Sequence, residues 1–181
     1  MQSELDVLRD ISQRLDSAAI PFMVTGSMAM NYYAQPRFTR DIDVVVELEI
    51  ADLDKIVRLF HPDYYVSREA VAESIRHRSM FNLIHNESIV KVDFVIRKDQ
   101  PFRQLEFERR VRIRIQDFET WIVTREDLIL SKLYWARDSR SERQFGDIKN
   151  LIATECDRRY IAQWAKDLGI GELWDELTKN E

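Results

Sequence analysis

The chain has 181 residues, 45% of them hydrophobic and 33% charged, with a formal net charge of −5 and only four glycines and four prolines. That size suits one domain, or one domain with a short appended module, and the composition is that of a folded, soluble chain rather than a disordered one. The acidic balance argues against a protein that coats nucleic acid through bulk electrostatics, and no stretch approaches the roughly 20 apolar residues of a membrane span. The start carries no basic region followed by an apolar run, so the sequence reads as cytoplasmic. A single cysteine, Cys156, excludes an internal disulfide, and beside Asp157 it reads as a buried structural thiol. His61, His77 and His85 lack metal-ligand spacing and read as solvated or capping residues.

In chain order, Leu5, Leu8, Ile11 and Leu15 recur at helical spacing, predicting an amphipathic helix that ends near Ser17. The apolar run Ile20 to Thr25 predicts a strand that stops at Gly26-Ser27, where a helix begins and runs to about Ala34. After the loop Pro36 to Arg40, a strand from Asp41 to Glu47 opens with two acids. Helical periodicity over Ile50 to Phe60 and Glu69 to His77 is followed by a strand pair, Met80 to Ile84 and Ile89 to Ile96. Val111, Ile113 and Ile115 alternate with Arg110, Arg112 and Arg114, a strand with one wet face, and Trp121 to Val123 is the last strand. From Arg125 onward the pattern is helical: about Glu126 to Ser139, Gln144 to Thr154, Arg158 to Leu168 and Gly171 to Leu177. The expected class is α/β, a sheet flanked by helices with a helical C-terminal portion.

Asp41 and Asp43 are two apart on a strand, so both side chains project from one face and can share a divalent cation. Asp93, inside the apolar run Val92 to Ile96, is costly to bury unless paired or metal-bound; taken alone, it better fits a surface-facing strand position. Gly26-Ser27 at a strand-to-helix turn suits the approach of a phosphate to free backbone N–H groups, or is an ordinary turn with serine capping the helix. Arg37 and Arg40 flank the acids and suit either triphosphate contacts or the balancing of nearby carboxylates. Tyr32 and Tyr33 suit base stacking or, more commonly, core packing. The arginines at 110, 112 and 114 could track a nucleic-acid backbone, but the preferred reading is a charged face protecting a sheet edge.

Gly26-Ser27, then thirteen residues, then Asp41-Ile42-Asp43-Val44, then Asp93 on a later strand, resembles the signature of the polymerase-β-type nucleotidyltransferase superfamily. Arg37-Phe38-Thr39-Arg40-Asp41-Ile42-Asp43 is similar to a small bacterial branch that includes the abortive-infection type IV toxin nucleotidyltransferases; Glu126 to Leu133, with Lys132, and Asp147-Ile148 look like that branch's C-terminal helices. The resemblance implies a mixed sheet flanked by helices, with a nucleotidyltransferase core over residues 1–124 and a helical module over 125–181 forming one wall of a nucleotide cleft. It implies transfer of a nucleoside monophosphate from a nucleoside triphosphate to an acceptor hydroxyl, with pyrophosphate released and Mg²⁺ or Mn²⁺ required. On that basis Asp41, Asp43 and Asp93 form the catalytic metal set, with Asp93 serving the second metal region or deprotonating the acceptor. Gly26, Ser27, Arg37, Thr39, Arg40 and Lys132 would bind the nucleotide. Taken on its own, Lys132 fits a lysine whose stem covers apolar neighbours equally well, and Asp147 fits an ion-pair or helix N-terminal role.

The acceptor, whether tRNA, protein or small molecule, is not legible in the sequence, nor is any cognate toxin or antitoxin partner. Two rivals stand beside this reading: a nucleotide-binding or protein-interaction module that has lost chemistry, and an antibiotic-modifying nucleotidyltransferase. The presence of all three acids weighs against the first.

Overall fold

A computed structural model describes residues 3–139 and 141–179. Its contacts group Met1–Met28 with Phe38–Val123 in one unit and Ala29–Arg37 with Thr124–Glu181 in another.

The first unit holds a seven-stranded mixed sheet. Its strands are β1 (Phe22–Thr25), β2 (Asp41–Val46), β3 (Tyr64–Tyr65), β4 (Met80–His85), β5 (Lys91–Ile96), β6 (Val111–Ile115) and β7 (Phe118–Ile122), in the order β3-β4-β5-β2-β1-β7-β6. β2 runs antiparallel to β1 and parallel to β5, and β4 is antiparallel to β5. Period-two alternation gives β2, β4 and β5 two unlike faces. Ile42, Val44, Val46, Phe81, Leu83, Val92, Phe94 and Ile96 are buried on one face, while Asp41, Asn82 and Lys91 lie exposed on the other.

Helices supply the cover for the apolar face. Helix α1 (Glu4–Ser17) starts at a capping box in which Ser3 and Asp6 satisfy each other's backbone N–H groups. It buries Val7, Leu8, Ile11 and Leu15, and its Ser12 hydroxyl meets that of Thr120 on β7 at 2.8 Å. Helices α3 (Leu53–Phe60) and α4 (Arg68–His77) pack on each other. Beneath them Phe60, Phe81 and Phe94 meet edge to face at 5.6 and 5.2 Å. Full burial of each such ring contributes about 1.5–3 kcal/mol.

Two elements lie outside the sequence expectation. The short strand β3 is one, and helix α5 (Pro101–Glu108) is the other, opening with proline at its first turn and burying Phe102 and Phe107. β6 lies at the sheet edge with Arg112 and Arg114 exposed, and Arg112 is paired at 2.8 Å to Glu119 on β7. His85, expected to be solvated or capping, is not solvated: it is buried against the Tyr64 ring, with Nδ1 accepting the Ser88 backbone N–H at 3.2 Å and 2.9 Å from the Ser88 hydroxyl.

Helix α2 (Gly26–Tyr33) begins in the first unit and ends in the second. The second unit is otherwise built from α6 (Arg125–Ser139), α7 (Glu142–Ile152), α8 (Arg158–Asp167) and α9 (Gly171–Thr178). α6 is its central element, in contact with α7, α8 and α9. Its faces are buried nearly all round, which explains why Lys132, expected to snorkel or to meet phosphate, is only 5% exposed. Cys156 is half-buried rather than fully buried, because it falls in the connection between α7 and α8. Tyr32, at the end of α2, is 47% exposed and not a core residue. Among the described residues, no helix is long and apolar enough to cross a membrane.

Candidate active site

The polar face of the sheet concentrates its charge where β1 ends and β2 and β5 begin. Thr25 pairs in register with Asp43, Asp43 with Asp93, and Asp93 with Asn82, so one row of polar side chains crosses four strands. The adjacent row pairs Asp41 with Lys91 and Lys91 with Ile84. Asp41 therefore stands one pleat from Asp43 on the same face, and Asp93 faces Asp43 across a strand spacing of about 4.8 Å. Two unit charges at that separation repel by roughly 1–3 kcal/mol between water-like and protein-surface dielectrics. The cluster therefore favours nearby cations.

One of those cations belongs to the chain. The Lys91 ammonium lies 3.0 Å from Asp93 Oδ2, and the Asn82 amide donates to Asp93 Oδ1. Asp93 is 9% exposed, which its two partners make tolerable. The hydrogen bond to Asp93, added to the charges of Asp93, Asp41 and Asp43 and only partly opposed by burial, raises the Lys91 pKa above the ordinary lysine range. Neither Lys91 nor Asn82 is a residue that sequence reasoning singled out. The available signal was the period of two, which puts residue 91 on the face of residue 93.

Gly26 explains its own identity. Its φ of +63° lies in the left-handed region, and a Cβ built there would fall 2.7 Å from Asp43 Cγ and closer still to Oδ2. The Asp43 carboxylate thus lies directly over the first residue of α2, where only glycine leaves room. Ser27 follows at the helix start, where the positive end of the helix dipole favours an anion. In the loop before β2, Thr39 donates to the Asp41 carbonyl at 3.3 Å. The Arg40 guanidinium lies 5.5 Å from the ring centroid of Phe38, which is 73% exposed.

Within the second unit the structure joins Arg37, Lys132 and Asp147. Arg37 donates through Nε and Nη2 to the two Asp147 oxygens, both at 2.8 Å, and Lys132 Nζ donates to Oδ2 at 2.8 Å and to Gln144 at 3.3 Å. Burial alone would raise the pKa of Asp147, which is 3% exposed, but the hydrogen bonds and charges of Arg37 and Lys132 reverse that and hold it below the usual carboxylate range. The Arg37 loop is fixed further by Asn31, whose amide donates to the Arg37 carbonyl at 2.8 Å and accepts its N–H at 2.9 Å.

Among the described residues, no group of three or more His, Cys, Asp or Glu side chains is close enough to hold a metal ion by itself. The donor set nevertheless suits a hard cation such as Mg²⁺, which takes one or two carboxylates and completes its shell with water and substrate phosphates. Asp41 and Asp43 could supply that pair, while Asp93 is engaged by Lys91 and Asn82.

Solved structures share this architecture. An antigenic nucleotidyltransferase-like protein from Paracoccidioides brasiliensis superposes with a TM-score of 0.57 at 19% identity, over 82% of this chain and 74% of that one. The lincomycin-bound lincosamide antibiotic adenylyltransferase LnuA gives 0.55 at 15% identity, over 82% and 96%. The solution structure of the antibiotic-resistance factor ANT(2'')-Ia gives 0.60 at 13% identity, over 91% and 88%. At these identities the likeness is one of fold. No curated protein matches the sequence. A family model, described as nucleotidyl transferase AbiEii toxin, type IV TA system, matches residues 8–169, and the chain therefore belongs to that family and is a nucleotidyltransferase.

Proposed function

We propose that this enzyme moves a nucleoside monophosphate from a nucleoside triphosphate to an acceptor hydroxyl in a divalent-metal-dependent reaction. The observation that carries the reading is the seating of the Asp43 carboxylate over Gly26, with Asp93 in register beside it. A metal-binding carboxylate and a phosphate-accessible backbone turn then share one spot on the sheet. Asp41 and Asp43 would hold the ion, which, when bound, supplies charge stabilisation at the α-phosphate and the departing pyrophosphate. Gly26 and Ser27 would receive phosphate oxygens at the start of α2. Asp93 would orient the acceptor hydroxyl and take its proton as the acceptor oxygen bonds to the α-phosphorus and the bond to pyrophosphate breaks. The rest of the work is positioning and electrostatics.

Thr39 and Arg40, in the loop leading to Asp41, would contact the triphosphate. Arg37 and Lys132 together exceed Asp147 by one positive charge; the family resemblance assigns them to the triphosphate too. The enzyme would act in the cytoplasm, where nucleoside triphosphates are supplied, as the toxin of a toxin–antitoxin pair, using Mg²⁺ or Mn²⁺. Incubation with each α-labelled triphosphate, Mg²⁺ and cell extract tests the reading and identifies the acceptor among tRNA, protein and small molecules. Labelling that persists in Asp41→Asn, or that persists when a chelator removes the divalent ion, would refute it.

A further inference from the structure

Lys91 stands on the polar face in register with Asp41, two residues before Asp93 on the same strand, with Ile84 on its other flank. Its ammonium contacts Asp93 at 3.0 Å, and Asp41, Asp43 and Asp93 all act on it electrostatically. The acids that would bind a divalent ion are thus already partly neutralised by a cation tethered to the same sheet. Its side chain is 44% exposed, so the ammonium has solvent to move into.

We infer that Lys91 is a built-in competitor of the divalent ion: in the metal-free enzyme it holds Asp93 and offsets the charge of the neighbouring Asp41–Asp43 pair, and it lowers the affinity of that pair for the metal until it withdraws. The inference rests on the proposed carboxylate site and adds a residue that sets its metal affinity. Two positive charges cannot share that patch cheaply, since the repulsion between them acts at the same few ångströms as the attraction each feels for the acids. An enzyme so built loads metal weakly when alone. The triphosphate, by bringing metal with it and offering the ammonium new anionic oxygens, would relieve the competition.

The test is Mn²⁺ binding to the full-length protein without nucleotide, measured by calorimetry and by electron paramagnetic resonance of the free ion. Lys91→Met should bind Mn²⁺ about fivefold more tightly than wild type or better, the upper range of coupling in an exposed ion pair. Lys91→Arg keeps the charge and should stay within about twofold of wild type on the same scale. Circular dichroism melts establish that both variants fold. Unchanged or weaker Mn²⁺ binding by folded Lys91→Met would overturn the inference. Asp41→Asn separates the two levels: if it weakens Mn²⁺ binding while Lys91→Met does not tighten it, only the role of Lys91 falls. If Asp41→Asn leaves Mn²⁺ binding unaltered, the carboxylate site falls and the inference with it.

Discussion

Replacing Asp147 with asparagine should destabilise the fold far more than an ordinary surface change. The side chain is 3% exposed and its carboxylate answers two cations at once, Arg37 through a bidentate contact and Lys132 through Oδ2. Asparagine keeps the volume but removes the charge. It leaves Lys132, itself only 7% exposed at its side chain, facing an amide oxygen where a carboxylate stood. Removing one member of a buried ion pair costs about 3–5 kcal/mol, because the surviving charge stays desolvated after losing that counter-ion. Arg37 is 23% exposed and recovers some hydration, which favours the lower end. At about 2–4 °C per kcal/mol for a chain of this size, the melting temperature should fall by on the order of 10 °C. Differential scanning calorimetry near neutral pH, with circular dichroism as a second probe, makes the measurement and tests two-state behaviour. The pH dependence carries its own sign. The folded pKa of Asp147 is depressed, so its contribution is complete above the unfolded carboxylate value of about 4 and is lost as pH falls through the folded value. The gap between wild type and variant should therefore narrow on acidification below about pH 4. A shift under about 2 °C at pH 7, on the same scale, would refute the reasoning.

Gly26→Ala forces a left-handed backbone on a residue with a Cβ, at roughly 1–2 kcal/mol, and pushes the Asp43 carboxylate aside. Labelled-nucleotide transfer should drop about 100-fold, as expected for a displacement of about 1 Å at a reacting centre, while the melting temperature falls by only several degrees. Asp41→Asn and Asp43→Asn should impair both the triphosphate-plus-Mg²⁺ thermal shift and transfer, whereas Asp93→Asn should retain more of that shift and lose about 10²–10⁴-fold in transfer. Near-normal transfer by Asp93→Asn to a verified acceptor would reduce Asp93 to a strand residue. Lys132→Ala leaves Asp147 its bidentate Arg37 partner, so it should cost less stability than Asp147→Asn and still diminish the nucleotide-dependent thermal shift. An undiminished shift would assign Lys132 to structure alone.

Local regularities account for what was legible in advance. Alternation along residues 41–46 and 91–96, and the turn at Gly26-Ser27, identify strands, their faces and the acids on them without any knowledge of pairing. β3 escaped because two residues display no period, and α5 because its apolar positions, Phe102, Leu105 and Phe107, fit no clean helical stripe. Long-range partnerships were the larger gap. Arg37 and Arg40 look equivalent beside the acids, yet Arg37 pairs with a carboxylate 110 residues away and Arg40 lies over Phe38. Asn82 acquires meaning only once β5 is placed beside β4, since register, not sequence distance, brings it to Asp93.

The two-faced sheet has a consequence for how this enzyme can change. Residues 41, 43, 91 and 93 put their charges on the polar face while their immediate neighbours Ile42, Val44, Val92 and Phe94 answer to the core, so a shift by one position would bury two carboxylates if β2 slipped, or a carboxylate and an ammonium if β5 did, and strand the apolar side chains in water. That penalty specifies the register of both strands. The same partition leaves the chemical half of each strand open to substitution, because nothing in the core depends on it. Silenced descendants that still fold are therefore one substitution away, and drift in what the enzyme acts upon can proceed without rebuilding the scaffold.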